Sequence, residues 1–111
     1  MKVDYDSEAK ALLFEFGELR VSEEGDYVEE LADGMCIVRF HNDRPEAIEL
    51  DGADRYLTAL DEAAERFELD AEGLRAAAQA AFAAPDREII IDVGRRLPNS
   101  DEEEPQEAKA A

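Results

Sequence analysis

The sequence predicts an α+β fold: an antiparallel β-meander of about four to six strands, covered by two consecutive α-helices, with a final strand rejoining the sheet. Three observations carry this expectation. Apolar and polar residues alternate through the first half of the chain, apolar residues then recur at intervals of three and four between Asp54 and Pro85, and a β-branched run follows the helices.

Val3 and Tyr5 alternate with Lys2, Asp4 and Asp6, the period of a half-covered strand, and Ser7-Glu8 supplies polar turn residues. A second strand over Ala11 to Phe16 closes a hairpin, with Leu12, Phe14 and Phe16 on one face, Leu13 and Glu15 on the other, and Gly17 ending the run. Leu19 and Val21 alternate weakly before Ser22-Glu23-Glu24-Gly25, and Tyr27 to Ala32 offers a further strand before the Asp33-Gly34 turn. Met35 to His41 and Ala47 to Leu50 read as strands joined by Asn42-Asp43-Arg44-Pro45, whose residue types favour a turn. A sheet with one apolar face needs cover, and the second half of the chain provides it.

Leu57, Leu60, Ala64 and Phe67 place one apolar stripe on a helix that starts near Asp54. Asp70 is placed to cap a second helix, in which Leu74, Ala77, Ala78, Ala81 and Phe82 repeat the stripe until Pro85 forbids continuation. Arg87 to Val93 returns to strand, with Ile89, Ile91 and Val93 on one face and Ile90 on the other, which suggests burial on more than one side. Residues 98–111 hold five acids, two Pro, and no aromatic or β-branched residue, so a disordered acidic tail is expected after a single domain at 1–97.

The chain of 111 residues carries 30 acids against 12 bases, a net charge of −18, of which the tail accounts for −4 and residues 1–97 for the remaining −14. Arg95-Arg96 is the only adjacent basic pair, so direct nucleic-acid binding and attraction to anionic membranes are both disfavoured. No stretch is apolar for the length a bilayer span requires, and the N-terminus lacks the pattern of a signal peptide, so a cytoplasmic location is expected. The single Cys36 agrees with a reducing compartment.

Tyr5-Asp6-Ser7-Glu8-Ala9, Ala11-Leu12, Asp33-Gly34 and Ala47-Ile48-Glu49-Leu50 resemble a small prokaryotic family, domain of unknown function 2283. Its members pair a Tyr-Asp-x-Glu-Ala hairpin with a later acidic-Gly turn and an Ile-Glu strand. The resemblance covers about the first half of the chain. Lys10 stands where an acid is common, Leu13 where an aromatic often follows, and Arg44-Pro45-Glu46 lacks the Gly expected before the last strand. The family has no agreed activity, so the resemblance implies a β-rich meander and brings no site residue.

Reactive groups are few. The six glycines are never closer than eight apart, which excludes a phosphate-cradling loop, and Cys36 with His41 cannot complete a structural zinc site within one chain. On one strand the odd separation of Cys36 and His41 sends them to opposite faces, so Cys36 is expected in the core and His41 at the surface. Ser7, Ser22 and Ser100 fall in turns or tail, and Thr58 is placed to cap a helix. Glu29-Glu30 is a carboxylate pair that an abundance of acids makes undiagnostic. Asp4, Asp6 and Glu8, or the Asp51-Gly52-Ala53-Asp54 segment, could meet a divalent cation, but a solvated strand face and a capped strand-to-helix turn explain them fully. Arg39 and Arg55 are expected to pair with neighbouring acids rather than to recognise an anion.

No catalytic, cofactor-binding or metal-ligating residue is therefore assigned, and no enzyme activity or cofactor is expected. The expectation is a non-enzymatic interaction module for a basic protein partner, in a nucleic-acid-mimic or antitoxin-like role. A domain whose acidity suits high salt, and a divalent-metal or small-ligand binding protein, are the alternatives. The Ala-rich helix at 71–84 offers a surface that a second copy could approach closely to form a homodimer.

Overall fold

The computed structural model describes residues 1–17 and 23–91. Six strands form one antiparallel sheet: β1 Lys2–Asp6, β2 Ala11–Glu15, β3 Tyr27–Leu31, β4 Cys36–His41, β5 Arg44–Asp51 and β6 Ile89–Ile90. Three helices, α1 Ala53–Tyr56, α2 Ala59–Phe67 and α3 Ala71–Ala83, lie between β5 and β6. The strand order is β3-β4-β5-β2-β1-β6. The meander is thus interrupted once: the β1–β2 hairpin joins a β3–β4–β5 meander through β2 and β5, with Leu12 opposite Leu50 and Phe14 opposite Ile48. Alternation assigns a strand's faces but not its neighbour, and for that reason the pairing of β2 with β5 is invisible in the pattern.

The apolar face is the one expected. Val3, Leu12, Phe14, Cys36, Val38, Ile48 and Leu50 are fully buried beneath Leu60, Ala63, Ala77, Ala78 and Ala81 of the helices. Gly73 and three buried alanines of α3 present little bulk, and the helix lies against β1, where Phe82 meets Tyr5 edge to face at 4.7 Å. Phe40 stacks on Tyr27 at 4.8 Å and receives Phe67 edge-on at 5.0 Å, closing the other end of the core.

Several expectations require correction. The β4–β5 connection is a two-residue hairpin: Asn42 and Asp43 both take positive φ, 52° and 60°, so β5 starts at Arg44 and includes Pro45. Pro45 is tolerated beside a register shift between Arg39 and Phe40, where the ladder is already irregular. The first helix is divided after Tyr56, because the bonds Leu60 N–H to Leu57 O and Asp61 N–H to Thr58 O are one residue shorter than an α-helix requires. Thr58 makes no side-chain cap bond, and the start of α1 is Gly52 in the left-handed region at φ 60°, again without a side-chain cap. Asp70, by contrast, accepts from Gly73 N–H at 3.1 Å as expected.

The final strand joins β1 at the sheet's edge, with Val3 opposite Ile89 and Lys2 opposite Ile90. It is not buried on two sides: Ile90 is 74% exposed, because among the described residues no helix covers the second face of the sheet. Leu19, Val21, Val93 and the acidic segment 98–111 lie outside the described residues. Among the described residues no helix is long and apolar enough to cross a membrane.

Candidate interaction surface

All three helices pack on one side, so the other face of the sheet is uncovered among the described residues. Register places its side chains in transverse rows. One row runs Ile90, Lys2, Glu15, Ala47, Arg39, Val28; the next runs Asp4, Leu13, Glu49, Ile37, Glu30. Leu13, Ala47, Ile37 and Val28 form an aliphatic zigzag over four adjacent strands, and with Arg39 and Glu49 they line a depression of about 230 Å³. Val28 is 53% exposed. Asp4, Glu15, Glu30 and Glu49 stand among these aliphatic groups with Asp51 one row further, against the cations Lys2 and Arg39, so the face carries an acidic excess.

One end of this face is held by a charged network. Arg39 donates through Nε to Glu46 Oε2 at 2.8 Å and lies 3.9 Å from Asp26 Oδ2. The Asp26 side chain, only 7% exposed, accepts from Glu23 N–H at 2.7 Å and pairs with His41 Nδ1 at 2.9 Å, while His41 Nε2 lies 3.2 Å from the Asn42 amide. Tyr27 donates its hydroxyl to Asp43 at 3.2 Å, and desolvation, that bond and the charges of Asp43 and Glu29 raise its pKa above the usual 10.0. The pairing expected for Arg39 is present; the roles of Asp26 and His41 were not legible, since fifteen residues and a hairpin separate them.

The other flagged residues are dispersed. Cys36 is buried opposite Leu50, and desolvation, with the nearby Glu62 charge, pushes its thiol up to about 11. His41 is held by Asp26 on the other side of the sheet, so the two do not meet. Asp6 serves the β1–β2 turn, accepting from Glu8 and Ala9 N–H at 3.0 and 3.1 Å. Asp4, Asp6, Asp86 and Glu88 line a hollow of about 340 Å³, where partial burial, then Glu88 and Asp6, raise the Asp4 pKa. Asp86 accepts both the hydroxyl and the N–H of Ser7, at 2.7 and 2.9 Å. Among the described residues no three His, Cys, Asp or Glu side chains converge as a metal ion requires, so Asp4, Asp6 and Glu8 do not form a cage. Glu29 and Glu30 point to opposite faces, Glu29 lying 3.9 Å from Arg66. Arg55 lies in the last turn of α1.

No family model, no curated protein and no solved structure matches this chain.

Proposed function

We propose that this protein is a non-enzymatic interaction module that binds a basic protein partner on the uncovered face of its sheet. The observation that carries the reading is the aliphatic zigzag of Leu13, Ala47, Ile37 and Val28 set among Asp4, Glu15, Glu30 and Glu49. Carboxylates in that position steer a cationic surface toward the face, and the aliphatic groups between them gain on losing water. A homodimer through 71–84 has less support, because Gly73, Leu74, Ala77, Ala78 and Ala81 are spent inside the core, leaving Ala76 and Ala83 among the exposed positions of α3. Affinity capture at low ionic strength should recover proteins with basic surfaces, released at molar salt; capture that ignores salt, or that recovers acidic proteins only, refutes the reading.

A second reading has its own observation. Acids also cover the helical layer, at Asp61, Glu62, Glu65, Glu68, Asp70 and Glu72, so charge is spread over both sides of the molecule. Such a distribution suits a protein kept folded and dispersed in high salt. The two readings are compatible, since dispersal explains the helices and not the aliphatic groups left on the sheet.

A further inference from the structure

Resting on the partner reading above, we propose that the segment received by the uncovered sheet face is a basic amphipathic α-helix of about three turns, laid across β2, β5, β4 and β3. Spacing distinguishes this occupant from an extended one. Adjacent strands lie about 4.8 Å apart, so the zigzag from Leu13 to Val28 crosses three gaps and spans about 14 Å, the length of a helix of about ten residues. A helix offers one apolar side chain per turn of about 5.4 Å, close enough to that strand spacing for successive turns to meet Leu13, Ile37 and Val28 while passing over Ala47, which is itself only 9% exposed. An extended segment repeats its same-face side chains every 6.6 Å or so and falls out of step, and its backbone groups find no partners above a sheet face.

The charges supply the flanks. Asp4, Glu49 and Glu30 lie in the same row as Leu13 and Ile37, so Lys or Arg on that side of the helix's apolar stripe would meet carboxylates, whereas the row of Ala47 and Val28 sets Lys2 and Arg39 beside Glu15 and favours an uncharged flank. A second copy of this chain is a poor occupant, because two chains of charge −18 would bring the same acidic face against itself.

The test titrates the full chain with synthetic peptides by fluorescence anisotropy at low salt. One peptide is an Ala-based helix with Leu at each turn and flanking Lys; the second replaces its Leu by Ser at equal charge; the third carries a central Pro. Saturable binding of the first is expected, weakened about tenfold or more in the second and third, and likewise by Ile37→Ser or Glu49→Lys in chains with unchanged thermal melts. Equal binding of the Ser peptide would mean that charge alone is read, overturning this inference while leaving a basic partner in place. Equal binding of the Pro peptide would point to an extended occupant and overturn it too. So would self-association at molar salt that Ile37→Ser abolishes. No binding of any basic peptide would overturn the inference and count against the partner reading itself.

Discussion

Cys36→Ala should be the less stable chain at neutral pH and the more stable one in alkali. The Cys36 sulfur lies in the core with no exposed surface, so removing it leaves a small void and costs on the order of 1 kcal/mol. The thiol titrates at about 11 in the folded chain, against an ordinary 9.0. A raised pKa on an acid means that the native state keeps its proton longer than the unfolded one. The contribution is therefore complete below pH 9.0 and drains away as pH rises through 11. At about 1.4 kcal/mol per pKa unit, the native chain loses on the order of 1 kcal/mol by about pH 10 and about 2 kcal/mol by about pH 11. Cys36→Ala has no thiol to titrate, and the remaining side chains are common to both chains, so their contributions cancel in the difference. Urea unfolding followed by circular dichroism, under reducing conditions from neutral to alkaline pH, should show the two stabilities crossing. A difference that stays constant across that window would refute the argument. So would a Cys36 that reacts with a thiol reagent as fast in buffer as in urea.

Three further outcomes follow from the packing. Phe14→Ala, at a fully buried position opposite Val3 and Ile48, should cost about 3–5 kcal/mol out of a total of roughly 5–15, read as a fall in urea midpoint; a loss under about 1 kcal/mol would mean that the site collapses freely. Gly52→Ala should lower the melting temperature, because φ is +60° and the new Cβ would lie 3.0 Å from Tyr56 Cδ2, whereas Gly17→Ala, with nothing within 4 Å, should not. The Ser7 hydrogen bonds hold the Asp86 carboxyl below 3.8, so they stabilise the fold above that pH and the contribution is lost as acid titrates the native group. Ser7→Ala, which removes the hydroxyl bond and keeps the N–H one, should make this acid limb of the melting profile shallower, and an unchanged limb would exclude the hydroxyl contact.

How much of this was legible in the sequence differs by length scale. The strand faces followed from period two: Val3, Leu12, Phe14, Val38 and Ile48 are in the core, and Lys2, Asp4, Glu15 and Glu49 are on the other side. The Asp70 cap followed from its side-chain chemistry and position. Whether β2 pairs with β3 or β5 did not follow, because both offer the same alternation and only the folded sheet chooses. The break between α1 and α2 was hidden for a related reason: one stripe continues through Leu57 and Leu60 although the hydrogen bonding changes. The candidate surface was legible only in its parts. Leu13 was readable as an aliphatic residue on the face opposite Leu12 and Phe14, whereas the weak pattern around Val28 gave it no face, and the adjacency of Leu13, Ile37 and Val28 depends on β3, β4, β5 and β2 being neighbours in that order. The Asp26–His41–Arg39–Glu46 network depends on the β3–β4 register in the same way.

Salt separates the two readings of the charge. The Debye length falls from about 10 Å at 0.1 M to about 3 Å at 1 M, so repulsion among acids on both layers is progressively removed. The exposed Arg75–Asp61 pair weakens over the same range, but such a pair contributes only about 0–1 kcal/mol, while Arg39–Glu46 is partly shielded. With 30 acids against 12 bases, relief of repulsion outweighs the loss of pairs, and the melting temperature should rise with KCl toward molar concentrations. Stability that is flat or falling would refute adaptation to salt. Partner binding should move the opposite way, because the same screening removes the attraction of Glu49, Glu30, Asp4 and Glu15 for a basic helix. A melting temperature that climbs while peptide affinity falls would show one charge distribution serving both ends. A peptide affinity indifferent to salt would leave Leu13, Ile37 and Val28 as the whole of the recognition and remove any need for the acids around them.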